Sequence, residues 1–225
     1  MKVGETVLEW LGHASFFIKT FDGKLIYIDP YSLNSDKLEK ADLILITHSH
    51  PDHCSIADIN KIIKPNTRVV MTADCQSNLM RASVPIKMEI AEPGKEFDFG
   101  NLRIVSVPAY NIGKSFHPKE ESWVGYVIKS GESVIYHSGD TDAIPEMQKL
   151  TGHKKNGNDF VALVPVGGKY TMNAEEALEA VKMIKPTLAI PMHWGGLIGS
   201  KQDAEEFVNL CKEEGINAMM IDVFS

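Results

Sequence analysis

Short apolar runs bounded by polar or turn-forming residues recur along this chain and predict β-strands. The dipeptide Asp22-Gly23 and the single residue Gly131 each separate two such runs and predict β-hairpin turns. Several runs are continuously apolar, which indicates strands that are buried on both faces. The predicted strands cover residues 7–10, 15–19, 25–28, 43–46, 102–107, 124–128, 134–136, 160–164, 188–190 and 218–223.

Capping residues and helix-ending residues predict three α-helices between these strands. Ser55 is the predicted N-cap of the first helix, which has isoleucines at helical spacing and ends at Pro65. A capping box at residues 173–176 predicts the start of the second helix, which ends before Pro186. The third helix ends at Gly215, a residue type that favours the position just after a helix.

The order of these elements indicates the fold class. Strands come in runs early in the chain and alternate with helices afterwards, which favours mixed sheets packed together with helices outside them. We therefore expect an α/β (α+β) fold. The chain has no repeat, no low-complexity tract and no linker-like change in composition, so we expect a single domain over residues 1–225.

Composition says more about the possible binding partners than about the fold. Hydrophobic residues make up 44% of the 225 residues and charged residues 24%, as in globular proteins. The net charge of −7 argues against broad binding to nucleic acid or anionic membranes, and no apolar run approaches the ~20 residues of a membrane span. The N-terminus lacks a secretory apolar region, and the three cysteines do not describe a disulfide framework. We therefore expect a cytoplasmic protein with reduced thiols.

The strongest chemical signal is a cluster of metal-ligand residue types directly after the predicted strand at 43–46. His48, His50, Asp52 and His53 lie within six residues. Imidazole nitrogen suits zinc, iron and manganese, and a carboxylate adds negative charge that offsets the ion. So compact a charged cluster at the end of a buried strand would be costly without a partner. The sequence therefore predicts a metal site here.

The pattern His-x-His-x-Asp-His resembles the signature of the metallo-β-lactamase superfamily. The segments 10–15 and 167–172 are similar to a small, stand-alone branch of metal-dependent hydrolases in that superfamily. This branch is related to the ascorbate-phosphate lactonase and to N-acyl-phosphatidylethanolamine phospholipase D. The resemblance implies a four-layer αββα sandwich, in which two mixed β-sheets carry helices on their outer faces.

The resemblance also implies the remaining ligands. Segment 136–141 looks like the motif that carries a bridging aspartate, here Asp140, and segment 191–195 looks like the motif of the final histidine, here His193. At the third motif the sequence departs from the family, because Asn111 falls where many relatives have a histidine. His117 lies a few residues further on, so either residue could complete the first metal site.

The expected ligand set divides between two metal ions. The first ion is assigned to His48 and His50 with His117 or Asn111, and the second to Asp52, His53 and His193, with Asp140 between the two. Zinc is the expected metal, with manganese and iron as alternatives. The resemblance implies that four further residues hydrogen-bond the ligands from outside; these are His13, Asp29, Asn111 and His137. Lys169 and Tyr170 are candidates for substrate binding, and Lys114 is a weaker one.

The expected function is hydrolysis of an ester-type bond in a small substrate by a metal-bound hydroxide, with Asp52 and Asp140 as catalytic residues. The bond could belong to a phosphodiester, a lactone or a thioester. Alternatives are a metal-binding module without enzymatic activity and a redox or β-lactamase-like member of the same fold. A flavin-partnered di-iron enzyme would be expected to carry glutamate at the position of His50. A β-lactamase role is not favoured, because the sequence shows no secretion signal. The sequence leaves the oligomeric state open.

Overall fold

In the computed structural model, which describes residues 1–34, 38–157 and 159–224, the chain forms two β-sheets that face each other. The first sheet keeps the order of the chain, and its strands are β1 (Lys2–Val3), β2 (Thr6–Gly12), β3 (Ser15–Lys19), β4 (Leu25–Ile28), β5 (Leu43–Ile46), β6 (Arg68–Met71) and β7 (Lys87–Ile90). The second sheet has the order β13-β12-β11-β10-β9-β8, and its strands are β8 (Glu96–Asp98), β9 (Leu102–Pro108), β10 (Val124–Ser130), β11 (Ser133–His137), β12 (Asp159–Pro165) and β13 (Leu188–Met192).

Helices cover the outer faces of both sheets. The α-helices are α1 (Ile56–Ile62), α2 (Gln76–Leu79), α3 (Ala174–Ile184) and α4 (Lys201–Glu213). Segments of 3₁₀-helix lie at Ala73–Cys75, Lys119–Glu121 and Pro145–Gly157. In the part of the chain that the structure describes, no helix combines the length and the apolar character needed to cross a membrane.

Strand β5 shows why a continuously apolar run is needed at the centre of this fold. Leu43 and Leu45 face the core between the two sheets, whereas Ile44 and Ile46 pack in the core on the other side, which includes residues of α1. Alternate side chains of a strand point to opposite faces, so a strand covered on both sides must be apolar throughout. A third core lies between the second sheet and the helices α3 and α4. The predicted four-layer αββα sandwich is confirmed.

Because neighbouring strands pair in parallel, the predicted metal-binding residues lie at one edge of the sandwich. Strands β4, β5 and β6 run parallel in the first sheet, and β11, β12 and β13 run parallel in the second. The carboxyl ends of parallel neighbours lie at the same edge of a sheet, and loops there are the usual place for binding residues. The backbone N–H of Val124, at the start of β10, donates to the carbonyl of Thr47 (3.2 Å) and joins the two sheets at this edge.

The predicted helix starts and hairpins are confirmed. Ser55 caps α1 by accepting from the N–H of Asp58, and the capping box at Asn173 and Glu176 is complete. Gly215 follows α4 with φ of +70°. Strands β1, β6, β7 and β8 are additional to the sequence prediction.

The predicted strand over residues 218–223 is wrong. Within the described residues this segment makes only two isolated bridges, Ala189 with Ala218 and Trp10 with Val223. It begins beside β13 of the second sheet and ends beside β2 of the first, so it crosses from one sheet to the other. A segment that changes sheets cannot keep a continuous ladder of hydrogen bonds with either one.

Candidate metal centre

Loops that follow the strand ends bring the predicted ligands together at one edge of the sandwich. His48, His50, Asp52 and His53 occupy the loop between β5 and α1, and His193 directly follows β13. Asp140 lies in the turn after β11, and His117 lies in the loop between β9 and β10. The side chains of these residues are buried or half-buried.

Three histidines form the first group. His48, His50 and His117 each offer a ring nitrogen, and these atoms lie within 4.8 Å of one another. Nδ1 of His48 lies 2.9 Å from the hydroxyl of Thr47, which in turn donates to Asp29 at 2.6 Å. Since the hydroxyl hydrogen is used toward Asp29, Thr47 accepts from Nδ1–H of His48. Nε2 of His48 is then left with its lone pair, as a metal ligand requires.

The structure distinguishes the roles of Asn111 and His117. Nδ1 of His117 lies 2.9 Å from Oδ1 of Asn111 and 3.2 Å from the carbonyl of Tyr170, so it faces two acceptors and carries the proton. Nε2 of His117 therefore points its lone pair into the cluster, where it lies 3.2 Å from Oδ2 of Asp140. The amide Nδ2–H of Asn111 donates to Asp142 (3.0 Å). Asn111 thus contacts the ring of His117 and not the centre of the cluster.

The second group consists of His13, Asp52, His53 and His193, whose ligand atoms also lie within 4.8 Å of one another. Nδ1 of His53 donates to Asp29 at 2.7 Å, which leaves Nε2 facing the cluster. His13 differs from the other members because its Nε2 already hydrogen-bonds Oδ2 of Asp52 at 2.9 Å.

Asp140 lies between the two groups. Its Oδ2 is 3.2 Å from Nε2 of His117 and 3.1 Å from Nε2 of His193, and its Oδ1 is 3.4 Å from Nε2 of His53. Among the described residues, these three Nε2 atoms and Oδ1 of Asp140 are buried without a hydrogen-bond partner. Orphaned buried polar atoms are rare in folded proteins. Four of them around the carboxylate of Asp140 fit a group that binds there, and their imidazole and carboxylate chemistry suits a transition metal.

Burial sets the charge state of the imidazoles. It lowers the pKa of His48 well below the ordinary value, and it also lowers the pKa of His50 and of His13. These rings are therefore neutral at pH 7 and can donate a lone pair to a metal. Burial would lower the pKa of His53 as well, but the carboxylates of Asp140 and Asp29 outweigh it and raise that pKa.

Both carboxylates of the cluster are held in their charged form. Burial alone would raise the pKa of Asp140, but the neighbouring rings of His193 and His53 outweigh it and hold that pKa well below the usual range. Burial also acts on Asp52, where the hydrogen bond from His13 leaves the pKa below its ordinary value. The cluster thus presents two carboxylates beside the neutral rings of His48 and His50, an arrangement that favours a cation.

The comparisons with known proteins agree with this geometry. The family model described as the Beta-lactamase superfamily domain matches residues 7–193. The chain belongs to the metallo-β-lactamase superfamily. It is 37% identical over 212 residues to a "UPF0173 metal-dependent hydrolase" of Caldivirga maquilingensis, an alignment that covers 90% of this chain and 88% of the relative.

Solved structures of similar proteins share the superfamily fold over almost their whole length. A crystal structure from Parabacteroides distasonis matches with a TM-score of 0.82 and 28% identity, covering 97% of this chain and 94% of that one. Igni18, described as a novel metallo hydrolase from Ignicoccus hospitalis, matches with a TM-score of 0.76 and 26% identity, covering 98% and 97%.

Two glycines allow the superfamily's aspartate motif to approach the neighbouring strand. A Cβ on Gly125 would lie 2.5 Å from the carbonyl oxygen of Ser138, and a Cβ on Gly139 would lie 2.7 Å from that of Val124. Gly139 also has φ of +63°, which side chains rarely adopt. Glycine at both positions therefore sets the place of Asp140.

Two site histidines adopt left-handed backbone conformations. His13 has φ of +52° and His193 has φ of +60°, and the N–H of His193 donates to the carbonyl of His13 at 2.9 Å. Strained backbone of this kind persists only where surrounding contacts hold it, and it concentrates at functional sites. The hydrogen bond joins the β2–β3 turn to the end of β13.

His137 differs from the predicted ligands in the contacts of its ring nitrogens. Its Nε2 donates to the carbonyl of Ala14 at 2.8 Å, and its Nδ1 accepts from the N–H of Gly139 at 3.2 Å. Both ring nitrogens are therefore occupied, and the ring is fully buried. His137 holds the glycine turn that carries Asp140.

The cluster forms the floor of a cleft of about 360 Å³. Tyr170, a predicted substrate-binding residue, lines this cleft. Its neighbour Lys169 is exposed, with Nζ 4.9 Å from the centre of the Tyr170 ring, and is not among the lining residues. The ammonium group of Lys114 binds Asp142 (2.8 Å) and Glu176 (3.0 Å), and Lys114 is not among the residues that line the cleft.

Sequence reasoning missed several residues that shape the site. Phe116, Leu197 and Ile198 line the cleft, and Asp142 supports Asn111. Phe116 could have been predicted as a residue of the site from its position next to His117. Leu197 and Ile198 carried none, because apolar residues in a glycine-rich loop are indistinguishable in sequence from core residues.

Proposed function

We propose that this chain is a hydrolase that depends on two metal ions and cleaves an ester-type bond of a small substrate. The observation that carries the proposal is the position of Asp140, a buried carboxylate within 3.4 Å of one histidine nitrogen from the first group and two from the second. A carboxylate between two imidazole sets is the arrangement expected of a ligand shared by two cations. The similarity to a metal-dependent hydrolase and to a metallo hydrolase supports the metal-dependent hydrolysis in this proposal.

The residues divide naturally between two ions. His48, His50 and His117 would hold the first, and Asp52, His53 and His193 would hold the second, with Asp140 shared. Zinc fits this nitrogen and oxygen set, and manganese and iron fit it also. His13 would stay outside the set because its Nε2 is bonded to Asp52.

When bound, two such ions lower the pKa of water toward neutrality and polarise a carbonyl or phosphoryl oxygen. Asp52 lies at the edge of the cleft, its side chain 19% exposed and its Oδ2 held by His13, so this carboxylate can orient the proton of an attacking water. Asp29 keeps His53 in the tautomer with a free Nε2, and Asn111 does the same for His117. Tyr170 would position the substrate from the wall of the cleft.

The test is metal content together with hydrolysis, in the wild type and in Asp140→Asn. We expect the wild type to bind two ions per chain after metal loading and to hydrolyse at least one member of a panel of phosphodiesters, lactones and thioesters. Asp140→Asn keeps the shape but removes the charge, so it should lose at least one ion and most turnover. Asp98→Asn, the same change on the exposed strand β8, serves as the matched control.

Two results would overturn the proposal. The wild type could bind less than one ion, or Asp140→Asn could keep two ions and normal turnover. Two ions bound without hydrolysis of any substrate class would instead indicate a metal-binding module without enzymatic activity.

A further inference from the structure

The walls of the cleft differ in chemistry from its floor. The floor is polar and consists of the cluster residues, whereas the walls are Phe116, Tyr170, Leu197 and Ile198. Phe116 packs edge-on against Tyr170 with ring centres 4.7 Å apart. An apolar wall over a few convergent polar groups is the usual form of a small-molecule site, and about 360 Å³ falls in the usual range for one.

Two of the wall residues remain exposed to water. Leu197 is 63% exposed and Phe116 is 42% exposed. When an apolar group covers large apolar side chains that face solvent, no polar contact is lost. The apolar area removed from water then stabilises the complex. Their exposure at this mouth therefore points to an apolar part of the substrate.

The charges around the cleft point the same way. No lysine or arginine is among the described residues that line it. Lys114, on the loop that also carries Phe116, is bound to Asp142 and Glu176, and Lys119 is bound to Glu146. Phosphate recognition normally uses such side chains as hydrogen-bond donors.

We infer that the substrate is a neutral carboxylic ester or lactone that carries an apolar alkyl or aryl group, which lies against Phe116 and Leu197. The inference rests on the proposed hydrolase function and narrows it to one class of bond. The scissile carbonyl would lie over the polar floor, and the apolar group would extend toward the mouth of the cleft.

Hydrolysis of a matched series tests the inference. The p-nitrophenyl esters of acetate, butyrate and hexanoate share one leaving group with bis(p-nitrophenyl) phosphate, so differences in kcat/KM report the part of the substrate that varies. We expect kcat/KM of the metal-loaded protein to rise by about two- to fourfold per added methylene, the gain from burying that group. The phosphodiester should be the poorest substrate.

Binding gives a readout that does not require turnover. Neutral methyl ketones with growing alkyl chains cannot be hydrolysed, and calorimetry can follow their binding to the metal-free and the metal-loaded protein. We expect the dissociation constant to fall by about two- to fourfold per methylene in both forms. Inorganic phosphate should not bind the metal-free protein.

Variants separate the wall from the rest of the molecule. Leu197→Ala should flatten the dependence on chain length in both assays. Met80→Ala serves as the control, because Met80 is 77% exposed and does not line the cleft. Lys169→Ala should leave the chain-length series unchanged.

The possible failures are distinguishable. A preference for the phosphodiester, or its loss in Lys169→Ala, would overturn the inference and leave the hydrolase function standing. A flat chain-length dependence in the wild type would do the same. Hydrolysis of none of these four substrates and of no lactone or thioester, with ketone binding intact, would overturn the hydrolase function and support only apolar binding at the cleft.

Discussion

Gly125→Ala is the most informative single change at the junction of the two sheets. An added Cβ would lie 2.5 Å from the carbonyl oxygen of Ser138 and 2.6 Å from that of His137. Ordinary contacts begin at 3.4 Å, so one backbone must move by about 0.9 Å. Both contacted atoms belong to backbone just before Asp140, so rotation of a flexible side chain cannot relieve the contact.

The cost of this change is at the upper end of the range for overpacking, about 3 kcal/mol. For a protein of this length, each kcal/mol lowers Tm by about 2–4 °C, so we expect a drop of about 6–12 °C. Circular dichroism of the metal-free protein in a chelator measures the drop without a contribution from bound metal. Competition with a metal indicator should then show weaker binding, because the turn that carries Asp140 has moved.

Gly152→Ala is the matched control, since its Cβ would meet no atom of the described residues within 4 Å. It should leave both Tm and metal affinity close to the wild type. If Gly125→Ala melts within about 2 °C of Gly152→Ala and binds metal equally well, the close approach of β10 to the aspartate turn does not position the site.

Three further changes test the supporting hydrogen bonds. Asn111→Ala removes the nearer of two acceptors that orient His117 and should weaken metal binding about 10–100-fold, as measured by indicator competition. Unchanged affinity would show that the carbonyl of Tyr170 is sufficient to orient the ring. Asp29→Asn weakens the acceptor for Nδ1–H of His53 and should lower metal affinity to a similar extent, whereas an unchanged apparent Kd would contradict the role given to Asp29. Asp58 tests how the stability of the fold depends on pH in acid. Burial would raise the pKa of Asp58, but an ammonium group, a hydroxyl and two backbone N–H donors hold that pKa below the ordinary value. The stability from this group is therefore present above the unfolded pKa of about 3.9 and is lost as the pH falls through the lower folded pKa. Melting curves of the wild type and Asp58→Asn should converge over that interval, and parallel curves would refute the assignment.

Local sequence determined most of the elements and the first half of the site. The buried strand at 43–46, the capping box at 173–176 and the ligand motif after β5 each depend on residues within a few positions of one another. Such signals survive without tertiary contacts because the periodicity, the capping hydrogen bonds and the spacing of ligands are local. For this reason His48, His50, Asp52 and His53 could be named from the sequence and are found together in the fold.

Two of the strands that sequence reasoning missed, β7 and β8, have weak local patterns. Strand β7 is exposed or half-buried throughout, and β8 buries only Phe97. Both lie at the edges of their sheets, where one flank has no strand partner among the described residues. Edge strands of this kind carry little apolar periodicity, so their existence depends on a neighbour that the local sequence does not reveal.

Only the tertiary structure shows that the ring of His117 faces the cluster and that Asn111 contacts this ring from outside. The N–H of Asn111 donates to the carbonyl of His117 at 2.7 Å, which closes the loop and turns His117 inward. The loop is held from outside by Lys114, which binds Asp142 and Glu176, residues 28 and 62 positions away in the chain. No local pattern encodes contacts at such separations, because they exist only after both sheets and α3 have packed. The sequence therefore determined which residue types could bind metal, and the packing of distant segments decided which of them face the centre.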